Sequence, residues 1–319
     1  TPDFQVPFVN KKITKRANAH WGALLQYDQW KQAFEQTPYA NASASAAEVL
    51  ATDTIMQRID EDLLKNTSDF NTDDVKALLK KGRQLAYLDN SQLKAVQMWR
   101  QIEVYEYANV NKETLNEINK TTMLFAKVSK HLFNLAVAHK KLDAPEYKAL
   151  LANQFYLLVK QIHEHGYIHG SAVGIMHHQG YPMRSWTKAL FLGRDMLKDQ
   201  YQNAQQAIAW LSGLGRIFRD EQDNRGFNVD VMNTFLPGML MSIMMENEPN
   251  KKVAYLNSLT RWMSFSMTAT KGLGGGIQSD GSFFHHAQHY VAYGNGSLGG
   301  LSPVVYYMSQ SPFAITDKA

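Results

Sequence analysis

No cysteine occurs in the 319-residue chain, which excludes disulfide staples, thiol catalysis and thiolate metal sites without fixing the compartment. Nor is there an apolar, uncharged run of about 18 residues, the length that crosses a bilayer as a helix. The opening TPDFQVPFVNKKITKR lacks the apolar centre of a signal peptide, so any export signal is expected to lie outside this sequence or to have been removed. No block of like charges marks a nucleic-acid surface. Neither HExxH nor a cysteine framework marks a zinc site. Strand-like alternation is almost absent, and no fixed period declares a regular solenoid. The expected partners therefore include neither nucleic acid nor membrane.

What is present is ample for a buried core, at 45% apolar residues. The net charge of +4 leans weakly towards anionic partners, against the plainer reading of a solvated surface with spare lysines. Residues 1–45 mix rings (Phe4, Phe8, Trp21, Tyr27, Trp30, Phe34, Tyr39) with polar residues, which predicts an ordered N-terminal segment packed on the domain formed by 46–319. From Ala46 the apolar spacing is helical, with Ile55, Ile59, Leu63 and Leu64 on one face. Asn71 to Asp74 supplies a start signal for a helix carrying Val75, Leu78, Leu79 and Leu85. Further helices are predicted over Leu115–Ala138, from Ala144 to about His163 behind a capping box at Asp143–Glu146, and over Ser185–Asp199, Ala204–Arg219, Asp230–Met245, Lys251–Thr270 and Leu298–Met308. Short loops between such helices imply an all-α architecture of antiparallel hairpins. Whether the hairpins curl into an incomplete α/α toroid, spacing alone does not decide.

Chemistry-bearing residues gather between the helices, the common home of binding groups on a rigid scaffold. Eight of the eleven histidines fall in two windows: His163, His165, His169, His177 and His178, then His285, His286 and His289. The second window lies in Gly274–Gly300, where eight glycines suggest a shaped loop that is neither helix nor strand. Imidazole and phenol together can move protons, so His286 and Tyr293 form the central candidate pair. His177, His178, Tyr181, Arg184 and Trp186 offer donors, a cation and a flat ring, a toolkit for an anionic sugar whose carboxylate or sulfate a guanidinium would fork. The plainer reading makes Trp186 core and Arg184 a surface ion-pair partner. Asn233 either satisfies local backbone or points its amide at a ligand oxygen. The histidines could hold zinc, although His-x-Glu-His strings arise easily by chance. An oxygen-ligated cation such as Ca²⁺ at Asp220, Glu221, Asp223 and Asn224 stays open beside the plainer reading of a solvated acidic turn.

Three strings, HHQGYPMRSW (177–186), DVMNTF (230–235) and DGSFFHHAQHYVAYGNGSLGGLSPVVYYMSQSPFAI (280–315), together resemble polysaccharide lyase family eight, in particular its chondroitin ABC lyase branch. A "DG" turn (Asp280-Gly281), an aromatic-His element (Phe284 to His286), a Tyr-x-x-Tyr element (Tyr290 to Tyr293) and an "SPF" exit (Ser311 to Phe313) follow in that branch's order. The resemblance implies an incomplete α/α toroid whose cleft holds the sugar chain, with its last helices and the β-sandwich domains of the same polypeptide beyond residue 319. It implies eliminative cleavage of chondroitin or dermatan sulfate, or of hyaluronan, by a bacterial enzyme working in the periplasm or secreted. It makes Asn233 the partner of the uronate carboxylate and His286 and Tyr293 the proton-transfer pair. His178 becomes a cleft residue, and His177, Arg184, Trp186, His285 and Tyr290 become sugar contacts. The family's arginine and sheet-domain acid would lie downstream, and Arg184 is not assigned the arginine's role. The chemistry needs no cofactor, while a structural or activating Ca²⁺ or Mg²⁺ stays open.

Those residue types suit the reaction. The C5 proton of a uronide is poorly acidic while its carboxylate is charged, so a donor to that carboxylate spreads the developing charge. A base then takes the proton and an acid protonates the leaving oxygen. Tyrosine, with an ordinary pKa of about 10, needs neighbouring donors or a cation to serve as base. Tyr293 would act on glucuronates and protonate the leaving oxygen, and His286 would be the base for iduronates. Two other function classes compete: a non-catalytic glycan-binding toroid, and a toroidal glycoside hydrolase needing two carboxylates about 5 to 10 Å apart. For the hydrolase, Asp280 and Glu164 are the only loop acids beside the histidine windows.

Overall fold

The computed structural model describes residues 27–86, 93–97, 111–171, 180–218, 229–270, 272 and 275–315. These divide into two compact units, one holding 64–207 and the other 27–63 with 208–315. Helices dominate both, as the apolar spacing predicts. None among the described residues is long and apolar enough to cross a membrane. The predicted N-terminal segment lies, up to residue 26, outside the described residues.

In the first unit α3 (Thr72–Ala86) leads through the short strand β1 (Ala95–Gln97) to α4 (Lys112–Thr121), β2 (Thr122–Leu124), α5 (Phe125–Lys141), α6 (Pro145–Glu164) and α7 (Gly180–Leu192). Asn71 starts α3 as predicted, its side-chain oxygen accepting from the Asp73 and Asp74 amides. The single helix predicted over Leu115–Ala138 is instead two, because Thr122–Leu124 pairs in parallel with β1. The ladder draws on groups a continuous helix would use internally. The Asp143 capping box also fails: the N-cap is Ala144, without a side-chain cap, and Pro145 fills the first turn, where its missing N–H costs nothing. The predicted helix Ser185–Asp199 begins at Gly180, ends at Leu192 and gives way to two 3₁₀ turns, Arg194–Met196 and Lys198–Gln200. α5 is the central member, burying Phe125, Val128, Leu132 and Leu135 against α6 and α7. A polar clamp joins three helices, with Gln154 on α6 bonded to His131 on α5 (3.1 Å) and to the Leu79 carbonyl on α3 (2.9 Å).

The second unit contains α1 (Tyr27–Glu35) and most of α2 (Ala46–Lys65), which Ser45 and Glu48 open with a reciprocal cap. The latter part of α8 (Tyr201–Leu211) brings in a 3₁₀ turn (Leu214–Phe218), a π-helical turn (Val231–Phe235), α9 (Leu236–Met244) and α10 (Pro249–Ser266). The antiparallel strands β3 (Gly276–Ile277), β4 (Phe283–His285) and β5 (Gln288–His289) precede α11 (Val291–Met308). Phe34 stacks on Phe218 at 4.9 Å, and Tyr27 meets Trp210 edge-on at 5.5 Å, anchoring α1. α2 fastens the far end of α11. Arg58 donates to the Tyr307 (3.0 Å) and Ser309 (2.6 Å) carbonyls, and the Tyr307 hydroxyl donates to Asp62. Phe313 of the "SPF" element is fully buried, and its carbonyl accepts from Thr260 at 2.9 Å.

Glu35 ties α1 to α10, accepting from Lys31 (2.8 Å), Lys251 (3.0 Å) and the Tyr255 hydroxyl. Partial burial would raise its carboxyl, but the bonds from Lys31, Tyr255 and Lys251 outweigh that and hold it down to about 2. Because the folded value lies below the ordinary 4.5, Glu35 stabilises the fold above pH 4.5, and that contribution is lost as pH falls towards about 2. Glu35→Gln should therefore lower unfolding free energy at pH 7 by about 1 kcal/mol, a figure kept small by partial exposure. Denaturant titrations at several pH values should show the difference from wild type vanishing across that acid window.

Candidate functional site

The stretch Gly274–Gly300, expected to be a loop, is from residue 275 a small sheet leading into a helix. Asp280 and Gly281 close the β3–β4 hairpin: the Asp280 carboxylate accepts from the Ser282 amide at 2.9 Å, and Gly281 takes φ +79. His286 and Ala287 form the two-residue link of the β4–β5 hairpin, with His285 paired to Gln288. Both lie at positive φ, +54 and +60, where Asn-Gly would be the easy choice. The turn holds two side-chain-bearing residues in a conformation costing about 1 kcal/mol each, and presents the exposed His286 ring at its tip. α11 begins at Val291 and not Leu298, so Tyr293 stands on its first turn, half-buried.

Four rings cluster here. Tyr293 meets His286 edge-on with centroids 6.4 Å apart, so the predicted central pair is together. His285 lies closer to both: 4.0 Å from His286, and stacked on Tyr293 at 4.4 Å and 27°. Tyr290 completes the group at 4.6 Å from Tyr293. The His285 side chain is only 11% exposed, and its Nε2 stands 4.0 Å from the Asp230 carboxylate. Burial pushes the His285 pKa down and neighbouring His286 adds to this, while Asp230 opposes both.

Asn233 reaches the same helix from another direction. The segment predicted as ordinary α-helix over Asp230–Met245 starts with a π turn, closed by the Leu236 amide on the Val231 carbonyl five residues back. Pro237 has no N–H to offer the Asn233 carbonyl, which disfavours a regular α ladder there. Single π turns often mark functional positions because they re-aim one side chain. Two glycines of α11, four apart, face this turn. A Cβ on Gly300 would lie 2.1 Å from the Met232 carbonyl oxygen, and one on Gly296 would lie 3.0 Å from the Asn233 amide nitrogen. Only glycine lets the two backbones approach so closely. The Ser297 hydroxyl, between them, is within reach of the Val229 (3.1 Å) and Tyr293 (2.8 Å) carbonyls. Asn233 therefore packs on α11 one turn after Tyr293, on the face that residues three apart share.

Of the first window's histidines, the structure describes His163, His165 and His169. His177 and His178 lie outside the described residues, as do Asp220, Glu221, Asp223 and Asn224. Trp186 is fully buried beside Phe125, with ring centroids 5.8 Å apart, so of its two readings the structure supports core; its face does not meet a sugar in this arrangement. Arg184, on α7, lies over the Tyr181 ring at 5.0 Å, and partial burial lowers its pKa. The buried His163 bonds Gln200 at 2.9 Å, and His165 the Gln161 carbonyl at 2.7 Å, which are structural roles. Among the described residues no group of three or more histidines and carboxylates converges as metal ligands would. Sequence reasoning missed Asp230, Gly296, Ser297 and Gly300. The spacing of small residues at 296 and 300 was the available signal.

The sequence profile of a family described as "Lyase, catalytic" matches residues 39–319. The chain belongs to that family. Similar curated members of this lyase group include a chondroitin sulfate ABC exolyase of Proteus vulgaris, 32% identical over the whole chain and 33% of that protein. A chondroitin sulfate ABC exolyase of Bacteroides thetaiotaomicron is 26% identical over the whole chain and 31% of its own length. A chondroitin sulfate ABC endolyase of Proteus vulgaris is 24% identical over 82% of the chain and 25% of that protein. The chain thus spans about a third of the length of the lyases it matches most fully.

The two glycines separate stability from site geometry. Gly300→Ala drives a methyl into backbone and should cost about 3 kcal/mol. Gly296→Ala meets only the end of the Asn233 side chain and should leave the melting temperature nearly unchanged while displacing that amide. Thermal melts of both variants, with a crystal structure of the Gly296 variant, check this. Equal melting temperatures would mean that the close approach at Gly300 is not needed.

Proposed function

We propose that this chain carries the proton-transfer site of a glycosaminoglycan lyase that cleaves chondroitin or dermatan sulfate, or hyaluronan, by β-elimination at the uronic acid. One observation carries the reading most: His286, Tyr293 and Asn233 belong to three separate segments yet converge on the start of α11, in a chain of the lyase family. The names of its relatives point to the same substrate class.

Each group then has a task. The Asn233 amide donates to the uronate carboxylate, so that charge released from C5 spreads onto its oxygens. On glucuronates the Tyr293 phenolate takes the C5 proton, the C4–O bond breaks, and the new phenol returns a proton to the departing oxygen. The products are a C4–C5 unsaturated uronate and a free hydroxyl. On iduronates, whose C5 proton faces the other way, His286 is the base and Tyr293 the acid. His286 at a hairpin tip and Tyr293 on a helix approach the sugar from different elements, which suits opposite faces. Tyr290 and Arg184 remain sugar contacts in this reading, with His177 and His178.

The hydrolase alternative draws little support, because the Asp280 carboxylate is engaged in closing its own turn. We place the reaction in an incomplete α/α toroid continued by β-sandwich domains, in the periplasm or outside the cell, where a polymer too large to cross a membrane is met. The chemistry requires no cofactor, and a Ca²⁺ or Mg²⁺ in a structural or activating role is compatible with it.

Chondroitin sulfate incubated with the full-length protein should gain ultraviolet absorbance from the unsaturated uronate. New reducing ends without that absorbance would mean hydrolysis, and binding without either would mean a glycan-binding module. Tyr293→Phe should abolish elimination on glucuronate-containing chains and leave binding largely intact. Asn233→Ala should lower kcat by about 100-fold with little change in KM, since its donor acts on developing charge. A loss in KM alone would make Asn233 a binding residue.

A further inference from the structure

The proposed chemistry leaves one side chain unused at the centre of the cluster. His285 lies between the two reacting groups, stacked on Tyr293 at 4.4 Å on one side and 4.0 Å from the His286 ring on the other. Its own side chain is 11% exposed, too little for a sugar ring to rest on, and Asp230 faces its Nε2 at 4.0 Å. Tyr290 stands edge-on at 6.4 Å. No other titratable side chain among the described residues of β4, β5, the π turn or the start of α11 shows a ring contact or ion pair with it.

We propose that His285 is a positioning residue: a flat spacer that sets the separation and tilt of His286 and Tyr293 and does not itself touch the sugar. This rests on the lyase reading for its purpose, though not for its geometry.

The physical case has three parts. First, His285 ends β4 and His286 begins the strained turn, so the backbone that fixes one ring fixes the other. Second, a phenol on a first helical turn can swing about χ1 and χ2, and a flat ring stacked against it removes that freedom. Third, burial favours the uncharged ring, as its lowered pKa indicates. An uncharged ring can stack on the phenol and lie beside His286 without placing a like charge next to that imidazole. The Asp230 carboxylate pulls the other way, and its effect is smaller than that of burial.

The test compares His285→Ala, which removes the spacer, with His285→Phe, which keeps a flat ring and discards both nitrogens. Kinetics on chondroitin sulfate should show kcat falling at least 100-fold in the alanine variant with KM within about threefold, and the phenylalanine variant recovering at least tenfold of that loss. A sugar-contacting His285 would instead raise KM in both, and a proton-transferring His285 would leave phenylalanine as inactive as alanine. Either result overturns the proposal. A second readout is independent of turnover: 3-fluorotyrosine placed at position 293 and followed by ¹⁹F NMR in the folded protein. The resonance should be single and shifted by the stacked ring in wild type, averaged or split in His285→Ala, and single again in His285→Phe. An unchanged resonance in the alanine variant would show that the phenol is held by other contacts, and the spacer role falls. If the wild-type protein makes no unsaturated product, the lyase reading fails, and the fluorine spectra still decide the spacer.

Discussion

The site depends on a backbone-to-backbone contact, the approach of α11 to the Val231–Phe235 π turn. Gly300 sits so close to the Met232 carbonyl that no side chain fits, and Gly296 leaves room only for the Asn233 amide. Close packing of this kind is unforgiving because neither partner is a flexible side chain that could yield. Its consequence is positional. The π turn fixes Asn233 and α11 carries Tyr293, so whatever sets the distance between these two elements sets the distance between amide and phenol. Arg58 and Asp62 hold the other end of α11, so the helix is pinned at both ends.

Around that contact the chain spends conformational strain where geometry matters. His286 and Ala287 occupy a hairpin link that Asn-Gly would fill at lower cost, and a regular helix is interrupted at Asn233. Both departures break a local rule next to a proposed reacting group, and such departures concentrate at sites where surrounding structure over-determines the conformation. Here that surrounding structure is visible: β4 pairs on both sides, and Phe283 packs on Gly294 of α11, where an added Cβ would come within 3.1 Å.

The helical class and most helix positions were legible in the sequence because apolar residues at three- and four-residue spacing report one face directly. Ile55, Ile59, Val75, Val128, Leu132 and Leu135 are all buried as their spacing implies. The failures share a cause: tertiary contact overrode local preference. Eight glycines in Gly274–Gly300 read as loop because glycine is a poor helix former, yet in α11 Gly300 lets the Met232 backbone come near and Gly294 and Gly296 leave room for the Phe283 and Asn233 side chains. A parallel strand pairing split one predicted helix, and no local pattern announces a partner some 27 residues away. The ring cluster was legible in kind but not in arrangement. The shared histidine-tyrosine window and the family resemblance paired His286 with Tyr293 and could not show His285 between them, because adjacent residues in a strand point to opposite faces until a turn intervenes.

That arrangement has an energetic corollary for how such a site tolerates change. Groups that would touch the sugar, His286 and Tyr293, are exposed or half-buried and contribute little to folding, whereas His285, Ser297 and Gly300, which help to place them, are buried. Substitution of a contacting group removes chemistry from an intact scaffold; substitution of Gly300 removes scaffold first. Between these limits stand His285 and Gly296, which pack against the Tyr293 ring and the Asn233 amide and whose substitution is expected to shift those groups and leave the core in place. Because proton transfer requires the donor and acceptor to meet within hydrogen-bond reach, small displacements act on turnover far more than on affinity. The division between residues that react and residues that aim is therefore expected to appear in kinetics, not in thermal melts.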